Sequence, residues 1–356
     1  MKNHGRLPLI AATLLMIGLA LSGCSSSSQA PAVTNLSGAG ATFPYPLYSK
    51  MFDTYNGVTG VRVNYNSIGS GGGIKALTDK TVDFGASDAF LTDEEEAAMG
   101  APVLHIPTCV GSVVLSYNLD GNPALKLDGT VVANIFLGKI TRWNDASITA
   151  LNPGLSLPNL AITVVHRSDG SGTTSIFTSY LSAVSAEWKS SVGAGKSVSW
   201  PAGVGGKGND GVAGMISQAK GSIGYIELVY AVQSNMPFAS LMNASGKFVV
   251  PSLSSSGAAA AVASDLPDDL RVNIVNSPGA DAYPISSFTW ILVYKEQDYA
   301  GRTLGQAQAL KNLLTWVLTD GQAINAGLSY ARLPEPAVTK ALALVGSMTY
   351  DGTAIP

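Results

Sequence analysis

The stretch His166-Arg167-Ser168-Asp169-Gly170-Ser171-Gly172-Thr173-Thr174 concentrates the groups of this chain that could hold an anion. It follows a β-branched run of strand length (161–165) and leads into a segment of helical character (175–181). A strand that ends in Gly, Ser and Thr and turns into a helix leaves the first N–H groups of that helix unpaired, at the positive end of its dipole. Ser171 and Thr173 add hydroxyl donors, and Arg167 supplies a planar, permanently charged fork. One such loop is equally an ordinary helix cap on a tight turn. Two further stretches of the same kind favour the anion site. Gly38-Ala39-Gly40-Ala41-Thr42-Phe43-Pro44 reads as a glycine-rich loop, with proline at a helix start and Tyr48, Met51, Phe52 and Tyr55 following at helical spacing. Ile68-Gly69-Ser70-Gly71-Gly72-Gly73 lies between an alternating strand (61–65) and a helix opening at Ile74, and its bare backbone lets a ligand approach the N–H groups.

Other chemistries lack their residues. There is no G-x-x-x-x-G-K-[ST] run, no dinucleotide fingerprint and no G-x-S-x-G elbow. Three helix starts carrying Thr42, Ser70 and Ser171/Thr173, with one arginine and no lysine inside the loops, suit a small oxyanion more than a nucleotide. Hydrolysis of a phosphate ester by Ser171 lacks an evident base beside it and a metal set. No metal, no cofactor and no catalytic residue is expected.

The first 23 residues read as an export leader. Lys2 and Arg6 form a basic start, and residues 7–20 are an apolar stretch short for a bilayer span. Leu21-Ser22-Gly23-Cys24 resembles the lipobox of bacterial lipoproteins, which implies lipidation of Cys24 and a membrane anchor. Residues 24–36, with their serine run, read as a flexible tether. Taking 23 residues from 356 leaves 333, enough for two domains; losing Lys2 and Arg6 moves the formal net charge from −3 to −5. A mildly acidic chain argues against nucleic acid as a partner. With Cys24 committed to the anchor, Cys109 has no partner within the chain and is expected as a buried small hydrophobe.

Strands alternate with helices along the rest, which predicts an α/β fold with mostly parallel sheets. Val82-Asp83-Phe84-Gly85-Ala86-Ser87-Asp88 reads as a short strand with acids at its end. The apolar strand region at 103–117, interrupted by Pro107, and the run 288–294 are candidate crossings between two domains. Asp210 is a candidate helix N-cap ahead of 212–219, and Gly221 a left-handed position after it.

Gly38 to Pro44, Gly69 to Gly73, Val82 to Asp88 and Arg167 to Thr173 together resemble the four signature segments of phosphate-binding proteins of the PstS type. Gly205-Gly206-Lys207-Gly208-Asn209-Asp210-Gly211 and Gly138-Lys139-Ile140-Thr141-Arg142-Trp143 match as well. The resemblance runs from about Ser37 to about Leu333. It implies a two-lobed periplasmic-binding-protein fold of type II, with the cleft between lobes joined by two crossing strands. The lobes would be 37–107 with 285–356, and 108–284. It implies a monomer that captures inorganic phosphate and delivers it to the membrane permease subunits of an ABC importer. By motif, the ligand-holding positions are Thr42, Phe43 (backbone N–H), Ser70, Asp88, Arg167, Ser171, Gly172 (backbone N–H) and Thr173, with Asp169 holding the arginine. Gly71 stands where a second serine is common, and His166 where another basic residue stands before the arginine. A phosphate-ester hydrolase, a phosphate-sensing or adhesive lipoprotein, and a sulfate or molybdate binder are the alternatives.

Asp88 discriminates among the anions. A carboxylate beside an anion repels it unless the ligand brings a proton to donate, which hydrogen phosphate does and sulfate does not.

Overall fold

The computed structural model describes residues 33–261 and 266–356. The leader, Cys24 and the tether up to residue 32 lie outside the described residues. The folded part begins earlier than Ser37: Asn35 and Leu36 open a strand, and Leu36 is buried on its inner face. Among the described residues no helix is long and apolar enough to cross a membrane.

Eight strands build the central sheet: β1 (Asn35–Gly40), β2 (Arg62–Ser67), β3 (Phe84–Ser87), β4 (Val103–Tyr117), β5 (Thr163–Arg167), β6 (Val204–Gly206), β7 (Ser222–Glu227) and β8 (Ser286–Tyr294). Their order is β2-β1-β3-β8-β4-β7-β5-β6. The expectation of mostly parallel sheets needs correction. The pairs β2/β1, β1/β3, β7/β5 and β5/β6 are parallel, whereas every pair made by β4 or β8 is antiparallel. The reason is the path of the chain. Parallel neighbours are linked by helical crossovers, but β4 leaves one parallel group and enters the other without turning back. Residues 103–112 of β4 pair with β8, and Val113 to Tyr117 pair with β7. Both long strands are nearly continuous apolar runs because both their faces are covered.

Pro107 marks an irregularity in β4. The register with β8 shifts between Thr289 and Trp290, where Cys109 faces the first and Pro107 the second. Thr108 is therefore the extra residue of a bulge, the place where a strand tolerates a proline. Its hydroxyl lies 2.9 Å from the Tyr48 hydroxyl. Cys109 is fully buried and has no disulfide partner among the described residues.

Gly38 to Gly40 belong to β1 and not to a loop, which corrects the reading of that stretch. A side chain on Gly38 would run into the Phe84 ring and one on Gly40 into the Ala86 backbone. Those glycines let β1 and β3 lie flat together, and the loop proper is Ala41 to Pro44.

Candidate functional site

The three predicted anion loops converge. The turn after β1 leads into the helix Tyr45–Thr59, the turn after β2 into Ser70–Thr78, and the turn after β5 into Gly172–Val184. Gly69 has φ +84°, and a side chain there would strike Asp169 and the Gly170 carbonyl. Across the same contact, the Gly71 N–H donates to the Gly170 carbonyl at 2.9 Å.

Arg167, at the end of β5, is 3% exposed. Its Nε and Nη2 donate to the two carboxylate oxygens of Asp169 at 2.7 and 2.6 Å, and Nη1 donates to Thr173 Oγ1 at 3.3 Å. Burial pushes the Asp169 carboxyl up. The paired guanidinium and the Gly208 N–H outweigh that and hold it below the usual carboxylate range. The fork is thus locked by Asp169 and presents its remaining nitrogen to the loop.

Ser70 Oγ accepts from the Gly172 N–H at 3.0 Å and from the Asp88 N–H at 3.3 Å. Asp88 follows β3 and is 3% exposed. Its Oδ1 accepts from Thr289 Oγ1 at 2.8 Å, and its Oδ2 is buried without a partner. Burial raises this carboxyl to about 7, against the opposing pulls of Thr289, Arg167 and Ser70. Asp88 also lines a cavity of about 510 Å³ with Phe90, Ile176, Lys196 and Trp290. Beyond that cavity, Lys196 pairs with Glu95 at 2.6 Å.

Thr42 Oγ1 accepts from Asn209 twice, from its N–H at 3.2 Å and its Nδ2 at 2.8 Å. Thr173 Oγ1 also accepts from Asn209 Nδ2, at 3.1 Å. The carbonyls of Thr42 and Phe43 accept from Tyr230 at 2.5 Å and Tyr330 at 2.6 Å, which fixes the direction of the loop's N–H groups. Ser171 stands slightly apart. Its hydroxyl caps its own helix by accepting from the Thr174 N–H at 3.1 Å, and its N–H donates to the Lys196 carbonyl.

The structure therefore brings Thr42, Ser70, Asp88, Arg167, Gly172, Thr173 and Asp169 into one buried network. Phe43 joins through its backbone, and Ser171 through its neighbours. Sequence reasoning missed Asn209, Thr289, Glu227, Tyr230 and Tyr330. Asn209 lay within a motif already singled out, but nothing in that motif said where its amide points. Glu227 is fully buried; burial raises its carboxyl well above the usual range, and Oε1 has no partner. Asp210 is no N-cap, because the helix begins at Gly208 with Lys207 before it. The first N–H groups there are taken by Asp169 and Thr42, so a local cap has nothing to satisfy. Gly221 is left-handed as expected, with φ +82°. His166 stacks on Trp200 at 4.8 Å and turns Nδ1 to the Arg167 carbonyl.

Chemically the network is rich in donors, and Asp88 Oδ2 is a free acceptor within it. Comparisons with known proteins show the family of the chain. The PBP superfamily domain matches residues 25–321. The phosphate-binding protein PstS of Xylella fastidiosa (strain Temecula1) is 47% identical over 312 residues, covering 87% of this chain and 84% of that protein. PstS of Pasteurella multocida is 44% identical over 331 residues, covering 92% and 93%. Among solved structures, a high affinity periplasmic phosphate-binding protein bound with phosphate has a similar fold. It superposes with a TM-score of 0.69 at 21% identity, covering 87% of this chain and 93% of that one. By sequence match, the chain belongs to the PBP superfamily and, within it, to the PstS family of phosphate-binding proteins.

Proposed function

We propose that this protein captures inorganic phosphate between two lobes and delivers it to the membrane permease subunits of an ABC phosphate importer. In this reading the ligand is held by Thr42, Ser70, Arg167, Ser171 and Thr173, by the N–H groups of Phe43 and Gly172, and by Asp88. The observation that carries it is Asp88 Oδ2, a buried carboxylate oxygen without a partner that lies against Gly172 in the loop network, whereas the unpaired Glu227 Oε1 lies towards Gly111. A dianion taken out of water needs many donors. An unpaired carboxylate oxygen among them suits a ligand that still carries a proton.

The lobes of this reading are 37–107 with 285–356, and 108–284; the change of partner within β4 at Ser112/Val113 supports a boundary inside that strand. The protein works outside the cytoplasm as a monomer, anchored by lipid on Cys24. It binds phosphate and does not hydrolyse its esters: the Ser171 hydroxyl is occupied by the Thr174 N–H, and no histidine or carboxylate hydrogen-bonds to it among the described residues.

Calorimetry with phosphate, sulfate and p-nitrophenyl phosphate tests the reading. Tight binding of phosphate alone, with no release of nitrophenol, is expected. Equal binding of sulfate, or turnover of the ester, overturns it.

A further inference from the structure

Asn209 is fully buried one residue into the helix Gly208–Gln218. Its Oδ1 accepts from the Glu227 N–H at 3.0 Å. A backbone N–H can only donate, so this bond settles which end of the amide is which. Nδ2 is then committed to the other side, where it donates to Thr42 Oγ1 and Thr173 Oγ1. The second lone pair of each hydroxyl is filled too, on Thr42 by the Asn209 N–H and on Thr173 by Arg167 Nη1. A hydroxyl whose two lone pairs are taken has only its proton left to offer. Neither hydroxyl has an acceptor for that proton among the described residues.

We infer that Asn209 is a positioning residue that sets the polarity of the site, holding the Thr42 and Thr173 hydroxyls as donors toward the bound oxyanion. The inference rests on the phosphate-binding reading and adds a residue to it. Without the amide, each hydroxyl is free to turn and present a lone pair, which repels an anion. An aspartate at 209 reverses the polarity outright, since both hydroxyls then donate to its carboxylate.

The test is phosphate affinity by calorimetry on the purified protein, with melting temperatures recorded for every variant. Asn209→Ala is expected to weaken binding about 10- to 100-fold, the range for losing one or two buried hydrogen bonds. In a Thr42→Val/Thr173→Val background the same change is expected to cost less than about 2-fold, because the groups it acts through are gone. Asn209→Asp, of the same shape, is expected to be at least about 10-fold weaker than Asn209→Ala at pH 8. That gap narrows as the pH falls and the introduced carboxyl regains a proton to donate. The charged and titratable groups around position 209 include Arg167, Asp169, Glu227, Tyr230 and Tyr330, which bond to it, its neighbours or its partners, and Lys207 and Asp210 on its own segment. Comparing the two variants at one pH cancels their titration and that of phosphate. If Asn209→Ala does not fold, Asn209→Ser replaces it in the series. Multiplying effects in the threonine background, or equal affinities of the Asp and Ala variants at every pH, overturn the inference. A wild-type protein that fails to bind phosphate overturns the proposed function instead.

Discussion

Gly172 and Asp88 approach so closely that a methyl group on Gly172 would meet Asp88 Oδ2 at 2.5 Å and its backbone nitrogen at 2.6 Å. The contact seats the Gly172 N–H on the Ser70 hydroxyl and keeps the carboxylate out of water. Glycine is required here by space, since no positive φ is involved. Gly172→Ala is therefore expected to weaken phosphate binding about 10- to 100-fold by holding the loops apart, the cost of overpacking a tight site. Unchanged affinity in calorimetry rules out a tight approach in the bound state.

Arg167→Lys keeps the charge and loses the fork. The two bonds to Asp169 collapse to one at best, and the nitrogen that faces Thr173 is lost. Phosphate binding is expected to weaken by about 1.5–3 kcal/mol, as for a charge-assisted hydrogen bond. An affinity equal to the wild type would place the anion elsewhere.

Asp88→Asn tests how the site tells phosphate from sulfate. The amide can still accept through its oxygen, so phosphate loses little. Sulfate no longer faces a buried charge and gains. Sites that leave a buried polar group unpaired reject a near-isostere by up to about 10⁴–10⁵-fold, and the ratio of the two dissociation constants is expected to fall from that range. A ratio that stays put at fixed pH and ionic strength removes Asp88 as the reader of the ligand's proton.

The same carboxyl makes stability depend on pH. Burial raises it from its ordinary value of 3.8 to about 7. Between those values the unfolded chain gives up its proton while the folded protein keeps it. Stability of the phosphate-free protein therefore falls as the pH rises through that window and levels off above it. Relative to Asp88→Asn, the wild type is expected to lose about 2–4 kcal/mol of unfolding free energy between pH 4 and pH 8. Urea denaturation at the two pH values measures it, and parallel profiles for the two proteins would refute the assignment.

Cys24→Ser is expected to leave phosphate affinity unchanged while moving the protein from the membrane to the soluble fraction of cells. A variant that stays with the membranes shows that something other than lipidated Cys24 anchors it.

Much of the site is local and could be read from the chain alone. Arg167 and Asp169 pair two residues apart at a strand end, Ser171 caps the helix that begins beside it, and the glycines around Ser70 mark a bare loop. Such features depend on backbone rise, helix periodicity and cap chemistry, which neighbours in sequence carry with them. The partners of those residues do not. Asn209 reaches Thr42 across 167 residues, Tyr230 reaches it across 188, and Thr289 reaches Asp88 across 201. No spacing rule encodes these distances, because they follow from strand order: β8 lies between β3 and β4, and so carries Thr289 to Asp88. The expected cap at Asp210 failed for the same reason, since distant side chains had already satisfied the helix start. Local chemistry alone determined which loops could take an anion; the order of the strands decided which side chains face one another, and hence that Asp88 is buried with one carboxylate oxygen on Thr289 and the other unpaired.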